Sequence, residues 1–110
     1  MRRALQITFR GMDPSEALSD RIREQADRLE EVFDGVVGCK VVVEEPHRHH
    51  RTGRQFHVRV DVSVPGRDIV VSNDPGDAKA HEDAYVAVAD AFGAAHRQLL
   101  TYADHRHRHR

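Results

Sequence analysis

A chain of 110 residues with a formal net charge of −1 is most simply a single domain, large enough to bury roughly 65% of its unfolded surface. One cysteine, Cys39, excludes an intrachain disulfide, and its apolar surroundings favour a buried, inert thiol over a nucleophile or metal ligand. No apolar run approaches the ~18 residues of a membrane span, and no signal-peptide core is present. We therefore expect a soluble protein of a reducing compartment, the cytoplasm in a bacterium.

The first half of the chain predicts a strand, a helix and a second strand. Alternation over residues 5–9 indicates the first strand. Asp13 as N-cap, Pro14 at the first helical position and Glu16 three residues after the cap predict a helix that runs to about Phe33, with Gly35 as a left-handed C-cap. Its apolar stripe consists of Leu18, Ile22, Ala26, Leu29 and Phe33. Residues 37–45 predict the second strand, with Cys39, Val41 and Val43 facing inward.

The second half predicts two strands and a long helix. Residues 56–64 alternate cleanly, Pro65-Gly66 forms a turn, and residues 67–73 form a fourth strand whose inward parity stays open because three apolar residues are consecutive. A helix begins near Lys79, and its apolar stripe places Tyr85 and Phe92 in the core. The full stripe is Tyr85, Val88, Phe92, Ala95, Leu99 and Tyr102. The domain covers residues 1–104, and residues 105–110 are expected to form a disordered basic His-Arg tail.

This order, β-α-β-β-β-α, predicts an α+β fold. The first β-α-β connection should be a crossover that gives a parallel pair of strands, and the two later connections should give antiparallel neighbours. The expected architecture is a four-stranded mixed sheet with two helices packed on one face. The other face of the sheet is left open.

The positive charge of the chain is segregated. Residues 46–60 hold four arginines and four histidines without one acid, although the whole chain is almost neutral. A second cationic cluster ends the last helix and is opposed only by Asp104; it consists of His96, Arg97, His105, Arg106, Arg108 and Arg110. Such local positive fields favour a polyanionic partner, and a phosphate backbone is the usual one.

The sequence offers no constellation typical of an enzyme. It contains no nucleophile elbow, no phosphate-binding glycine loop, no dinucleotide fingerprint and no H-E-x-x-H. We therefore expect no catalytic activity, no cofactor and no small-molecule substrate. The histidines leave one alternative open, a metal-binding or metal-responsive module, in which two or three imidazoles would converge on Zn(II) or Ni(II). Its candidate ligands are His47, His49, His50, His57 and His81.

Several segments in the right order resemble the ribosome hibernation-promoting factor family, also known as RaiA, ribosome-associated inhibitor or sigma-54 modulation protein. The segments are residues 6–11 (QITFRG), 29–34 (LEEVFD), 82–90 (EDAYVAVAD) and 97–99 (RQL). The resemblance covers almost the whole chain and corresponds to the short form, which lacks an appended dimerisation domain. It implies a β-α-β-β-β-α protein that binds small-subunit rRNA in the channel of mRNA and the A- and P-site tRNAs, and that inhibits translation in stationary phase or stress.

The candidate RNA contacts combine the charge pattern with this resemblance. They are Arg28, Arg48, Arg51, Arg54, Arg59, Lys79, Arg97 and Arg106. The chain departs from the family where it lacks a lysine between Asp90 and Arg97 and where its first helix is acidic, so Arg28 is the best match to a basic position there. We expect a monomer when free, with the small ribosomal subunit as partner and no membrane. A weaker alternative is a regulatory domain that binds protein through the open sheet face or the acidic helix.

Overall fold

The computed structural model describes residues 5–46, 55–72 and 83–108, with side chains to residue 106. The elements follow the predicted order β-α-β-β-β-α, which confirms the α+β class. They are β1 (Gln6–Arg10), α1 (Glu16–Val32), β2 (Gly38–Glu44), β3 (His57–Val64), β4 (Arg67–Ser72) and α2 (Ala84–Arg108).

The four strands form one mixed sheet in the order β1-β2-β3-β4. β1 lies parallel to β2, with Ile7 opposite Val41, whereas β2–β3 and β3–β4 are antiparallel. A tight turn at Pro65 and Gly66 joins β3 to β4, and Gly66 has a φ of 87°, a conformation that glycine adopts without steric cost. Local connections thus place β2, β3 and β4 side by side, and the crossover through α1 adds β1 at the edge.

The core lies between one face of the sheet and the two helices. Alternate residues of β2, β3 and β4 join the apolar stripes of α1 and α2 in one buried cluster. The inward strand residues include Cys39, Val41 and Val43 as predicted, and Val58, Val60 and Val62 on β3. In β4, where the sequence left the parity open, Ile69 and Val71 point inward and Val70 is 41% exposed.

α1 begins two residues later than predicted. Its N-cap is Ser15, not Asp13: Ser15 has an extended backbone, and its Oγ accepts a hydrogen bond from the Leu18 amide at 3.2 Å. Serine and aspartate are similarly good caps. The helix therefore begins at Glu16, and its buried residues, Leu18, Ile22, Ala26 and Leu29, belong to the predicted stripe.

The end of α1 also differs from the prediction. Gly35 does not adopt a left-handed conformation, and the C-cap is Phe33, whose extended backbone carries an N–H that donates to the Leu29 carbonyl at 3.2 Å. Gly35 is instead the residue over which the Phe33 ring folds, since a Cβ there would lie 2.5 Å from Phe33 Cζ. That ring meets Tyr102 of α2 edge-on, with centroids 5.3 Å apart and an angle of 80°. The glycine therefore allows a close contact between the two helix ends.

α2 differs from its predicted bounds at both ends. Asp83 precedes its first residue, and the Asp83 carboxylate accepts a hydrogen bond from the Tyr85 amide at 2.8 Å, so the helix begins at Ala84 and not near residue 79. Tyr85, predicted as core, is 37% exposed, whereas Phe92 is buried. Residues 105–108, expected in the disordered tail, continue the helix. Arginine is a good helix former, and cations are favourable at a helix C-terminus.

Candidate nucleic-acid interface

The structure describes four of the eight predicted RNA contacts. Arg28, Arg59, Arg97 and Arg106 are exposed side chains, as a phosphate contact requires. The other four lie outside the described residues: Arg48, Arg51, Arg54 and Lys79. Of the four arginines in the basic segment, residues 46–60, the structure therefore describes only Arg59.

The sheet separates Arg59 from the arginines of α2. Arg59 lies on the open face, between Val42 of β2 and Ser72 of β4. That face carries both signs of charge: Lys40 is opposite Asp61, and Glu44 stands between Arg10 on β1 and His57 on β3. A face of mixed sign provides a weak field for a polyanion, so Arg59 alone does not make the open face a cationic surface.

The two helices differ in charge balance. α1 carries six acidic residues and three arginines, and the two ion pairs described, Arg21–Glu24 at 3.5 Å and Arg23–Asp20 at 3.0 Å, both lie on its exposed surface. α2 carries only two acids, Asp90 and Asp104, and its cations are concentrated in its last four turns. Of the described surface, the C-terminal half of α2 is therefore the part suited to phosphate.

A groove of about 440 Å³ lies along this part of α2, where the helix passes the start of β4. We call it the Tyr102 groove; it is lined by Arg67, Arg97, Gln98, Thr101, Tyr102 and His105. Arg67 was not among the predicted contacts. In the sequence it looks like an ordinary turn residue after Pro65-Gly66, and only the packing of β4 against α2 brings it to Arg97.

Tyr102 links the elements that surround the groove. Its hydroxyl donates a hydrogen bond to the Pro65 carbonyl at 2.6 Å and accepts one from Arg106 Nη1 at 3.4 Å. The Arg67 Cζ atom lies 5.8 Å from the centre of its ring, within the range of a cation–π interaction. One nearly buried side chain thus contacts two arginines and the turn that precedes one of them.

A second, more open groove of about 700 Å³ lies at the N-terminal ends of the helices. Its lining includes Tyr85 and the acids Asp13 and Glu45, and Arg21 of α1 stands 5.3 Å from the centre of the Tyr85 ring. The carboxylates make this groove unsuited to phosphate. Tyr85, expected in the core, is therefore a surface residue held by a cation–π contact between the helices.

The described residues give no support to the metal-binding alternative. Within residues 5–46, 55–72 and 83–108, no group of three or more His, Cys, Asp or Glu side chains is placed to hold a metal ion. His57 is the one candidate ligand described, and its buried Nε2 has no hydrogen-bond partner among the described residues. The remaining candidates, His47, His49, His50 and His81, lie outside the described residues.

Cys39 is buried, as predicted, and its thiol is protected from ionisation. Burial, with a smaller contribution from the negative charge of Asp61, raises the pKa of Cys39 from 9.0 to about 12. Because the thiolate is the reactive form, a thiol with this pKa is inert at neutral pH. Cys39 is therefore part of the core and not of a reactive site.

The fold and the Tyr102 groove define an α+β domain with a cationic surface at the end of its last helix. A family model described as Sigma 54 modulation protein / S30EA ribosomal protein matches residues 5–107, and the chain belongs to this family, that of the ribosome-associated hibernation factors. The resemblance found in the sequence is thereby confirmed. No curated protein matches the chain significantly.

Two solved structures share the fold. The N-terminal domain of Thermus thermophilus Protein Y has a TM-score of 0.70 and 19% sequence identity, over 88% of this chain and 94% of that one. A ribosomal subunit interface protein from Coxiella burnetii has a TM-score of 0.73 and 20% identity, over 91% of this chain and 97% of that one. Within the described residues, no helix has the length and apolar character needed to cross a membrane.

Proposed function

We propose that this protein binds the small ribosomal subunit and inhibits translation by occupying the channel of mRNA and the A- and P-site tRNAs. It acts in stationary phase or stress, in the cytoplasm, as a monomer that contacts rRNA and catalyses no reaction. The observation that carries the proposal is the family match over residues 5–107. The Coxiella burnetii protein with the same fold is described as a ribosomal subunit interface protein, which supports a ribosomal partner.

The charges of the described surface agree with an rRNA partner. Arginine contacts with phosphate position a protein on RNA without reading its sequence, and they require exposed guanidinium groups. Arg28, Arg59, Arg97 and Arg106 meet that requirement. The proposed phosphate contacts outside the described residues are Arg48, Arg51, Arg54 and Lys79.

Sedimentation with ribosomes tests the proposal. The purified protein is mixed with small subunits from stationary-phase cells at low salt and centrifuged, and we expect it to pellet with the subunits. It should also reduce translation of a reporter mRNA in a cell-free system. A protein that stays in the supernatant at low salt contradicts the proposal.

The contribution of the basic segment can be measured with a matched pair of variants. Replacing Arg51 and Arg54 by Ala should weaken binding and reduce the slope of log affinity against log salt by about 1.4–1.8, since each lost phosphate contact removes about 0.7–0.9. The control replaces Arg21 and Arg23, which pair with acids on α1, by Ala. It removes the same charge and should leave the slope almost unchanged.

A further inference from the structure

We propose that the Tyr102 groove is a phosphate-binding site for the RNA backbone, in which Arg67 and Arg97 contact the phosphate and Tyr102 is a positioning residue. This inference rests on the proposed function and deepens it. It assigns the RNA backbone a defined site, and that site includes Arg67, which was not among the RNA contacts predicted from the sequence. The groove, at about 440 Å³, lies in the size range of pockets that hold small ligands, and one nucleotide unit fits that range.

Arg67 is held against the wall of the groove by two features of the fold. It shares the parity of Ile69 and Val71, so it starts β4 on the side of the sheet that faces the helices. There its guanidinium lies over the Tyr102 ring at 5.8 Å. Stacking on an aromatic ring restricts the long side chain while its N–H groups remain able to donate, so less entropy is lost when an anion binds.

Arg97 approaches the groove from α2. Its Nη1 lies 3.7 Å from the position that a Cβ on Gly93 would occupy, so the side chain folds back over the preceding turn of the helix. Arg67 and Arg97 thus reach one groove from two different elements. Both arginines line the groove, and the planar donor geometry of a guanidinium group suits the oxygens of a phosphate.

Tyr102 fixes the distance between these two elements. Its hydroxyl donates to the carbonyl of Pro65, two residues before Arg67, at 2.6 Å, and its ring packs edge-on against Phe33. The same hydroxyl accepts from Arg106 at 3.4 Å, which brings a third guanidinium to the rim of the groove. The hydrogen bond to Pro65 therefore ties the β3–β4 turn to α2, and with it the spacing of Arg67 and Arg97.

No acid is among the described residues that line the groove. Asp68 follows Arg67 but has the opposite parity on β4, toward the open face of the sheet. Asp104 is exposed on α2 and is not part of the groove lining. Gln98, which does line the groove, supplies an uncharged amide that can donate to phosphate oxygens, whereas the Thr101 hydroxyl donates to the Arg97 carbonyl at 3.2 Å.

The test compares R67A/R97A with R21A/R23A in the full chain, using purified small ribosomal subunits as the ligand over a range of salt. We expect R67A/R97A to bind roughly tenfold or more weakly for each lost contact and to lower the salt slope by about 1.4–1.8. The control should behave like the wild type. Equal affinity and equal slope for the two double variants would overturn the groove as a binding site.

A second ligand separates this inference from the proposed function. Single-stranded oligouridylate of about ten nucleotides offers phosphates without a ribosome, and we expect weak, salt-sensitive binding that R67A/R97A weakens and R21A/R23A does not. If the wild type binds the oligonucleotide more tightly than R67A/R97A does but does not bind the subunits, the groove stands and the proposed function fails. If the wild type binds the subunits while R67A/R97A loses no affinity for either ligand, the groove fails and the proposed function stands. A wild-type protein that binds neither ligand overturns both the groove and the proposed function.

Tyr102→Phe tests the positioning role. It keeps the ring contacts with Phe33 and Arg67 but removes the hydroxyl that meets Pro65 and Arg106. We expect a loss of affinity of severalfold at a temperature at which the variant is fully folded, with a smaller salt slope than the wild type. A lower melting temperature with unchanged affinity and slope would show that Tyr102 has a structural role only.

Discussion

The packing of the Phe33 ring over Gly35 predicts that Gly35→Ala lowers the free energy of unfolding. In Gly35→Ala, the new Cβ would lie 2.5 Å from Phe33 Cζ and 2.7 Å from Cε2, far inside van der Waals contact, so the ring must move. Moving it breaks the edge-on contact with Tyr102, worth about 0.5–1.5 kcal/mol, and forces a strained rotamer at a similar cost. The entropic benefit of replacing glycine, about 0.4–1 kcal/mol, offsets part of this. We expect a net destabilisation of about 1 kcal/mol.

Gly93→Ala is the matched control for this prediction. Gly93 lies inside α2, and the nearest atom to an added Cβ is Arg97 Nη1 at 3.7 Å, an ordinary contact distance. Alanine should therefore stabilise the protein by about 0.5–1 kcal/mol, the usual difference between the two residues in a helix. The same substitution is thus expected to lower the stability of the protein at Gly35 and to raise it at Gly93.

Urea unfolding followed by circular dichroism measures both variants. The midpoint should decrease for Gly35→Ala and increase for Gly93→Ala, with the slope m unchanged in each, because the surface exposed on unfolding is the same. A Gly35→Ala variant that is as stable as the wild type, beside a stabilised Gly93→Ala, would refute the argument that the Phe33 ring is fixed over Gly35.

Three further predictions concern the helix cap, the core and the thiol. Ser15→Ala should cost about 1 kcal/mol of stability and Asp13→Ala much less, as measured by urea unfolding; equal losses would contradict Ser15 as the cap. Leu99→Ala, at a fully buried position, should cost about 2–5 kcal/mol, whereas Leu100→Ala, at a residue 48% exposed, should cost less than about 0.5 kcal/mol. The pKa of Cys39 is about 12 in the folded protein and 9.0 in the unfolded chain, so the unfolded chain loses the thiol proton first as pH rises. Stability should therefore fall above about pH 9, by at most about 1.4 kcal/mol per pH unit. Cys39→Val should lose less stability over that interval, and a Cys39 that reacts with a thiol reagent in the folded protein at pH 8 would contradict its protection.

Most of the fold follows from periodicity in the sequence. Alternation defined β1 and β3, and the three-and-four spacing of α1 and α2 placed Ile22 and Phe92 in the core, because these patterns report directly which side of an element is buried. Where apolar residues are consecutive, periodicity could not predict which of them face the core. In β4, tertiary packing alone decides that Ile69 points inward and Val70 outward.

The candidate site was less predictable than the fold. A cluster of charges in the sequence identifies cationic segments such as 46–60, but it does not say which elements meet in space. Arg67 and Arg97 line the same groove only because β4 pairs with β3 and α2 packs across them. No local sequence pattern could therefore reveal the Tyr102 groove. Tyr85 is the opposite case: its spacing fits the core stripe, but it lies in the first turn of α2, one residue after Ala84, and is 37% exposed.

The order of strands in the sheet has a consequence for how the molecule forms. β3 and β4 are joined by a two-residue turn and close at small entropic cost, whereas β1 pairs with β2 only after the chain has crossed the sheet through α1. Nonlocal parallel pairing is the slower step in such topologies. We therefore expect the β3–β4 hairpin, which places Arg67 before α2, to form early in folding and the N-terminal strand to complete the sheet last.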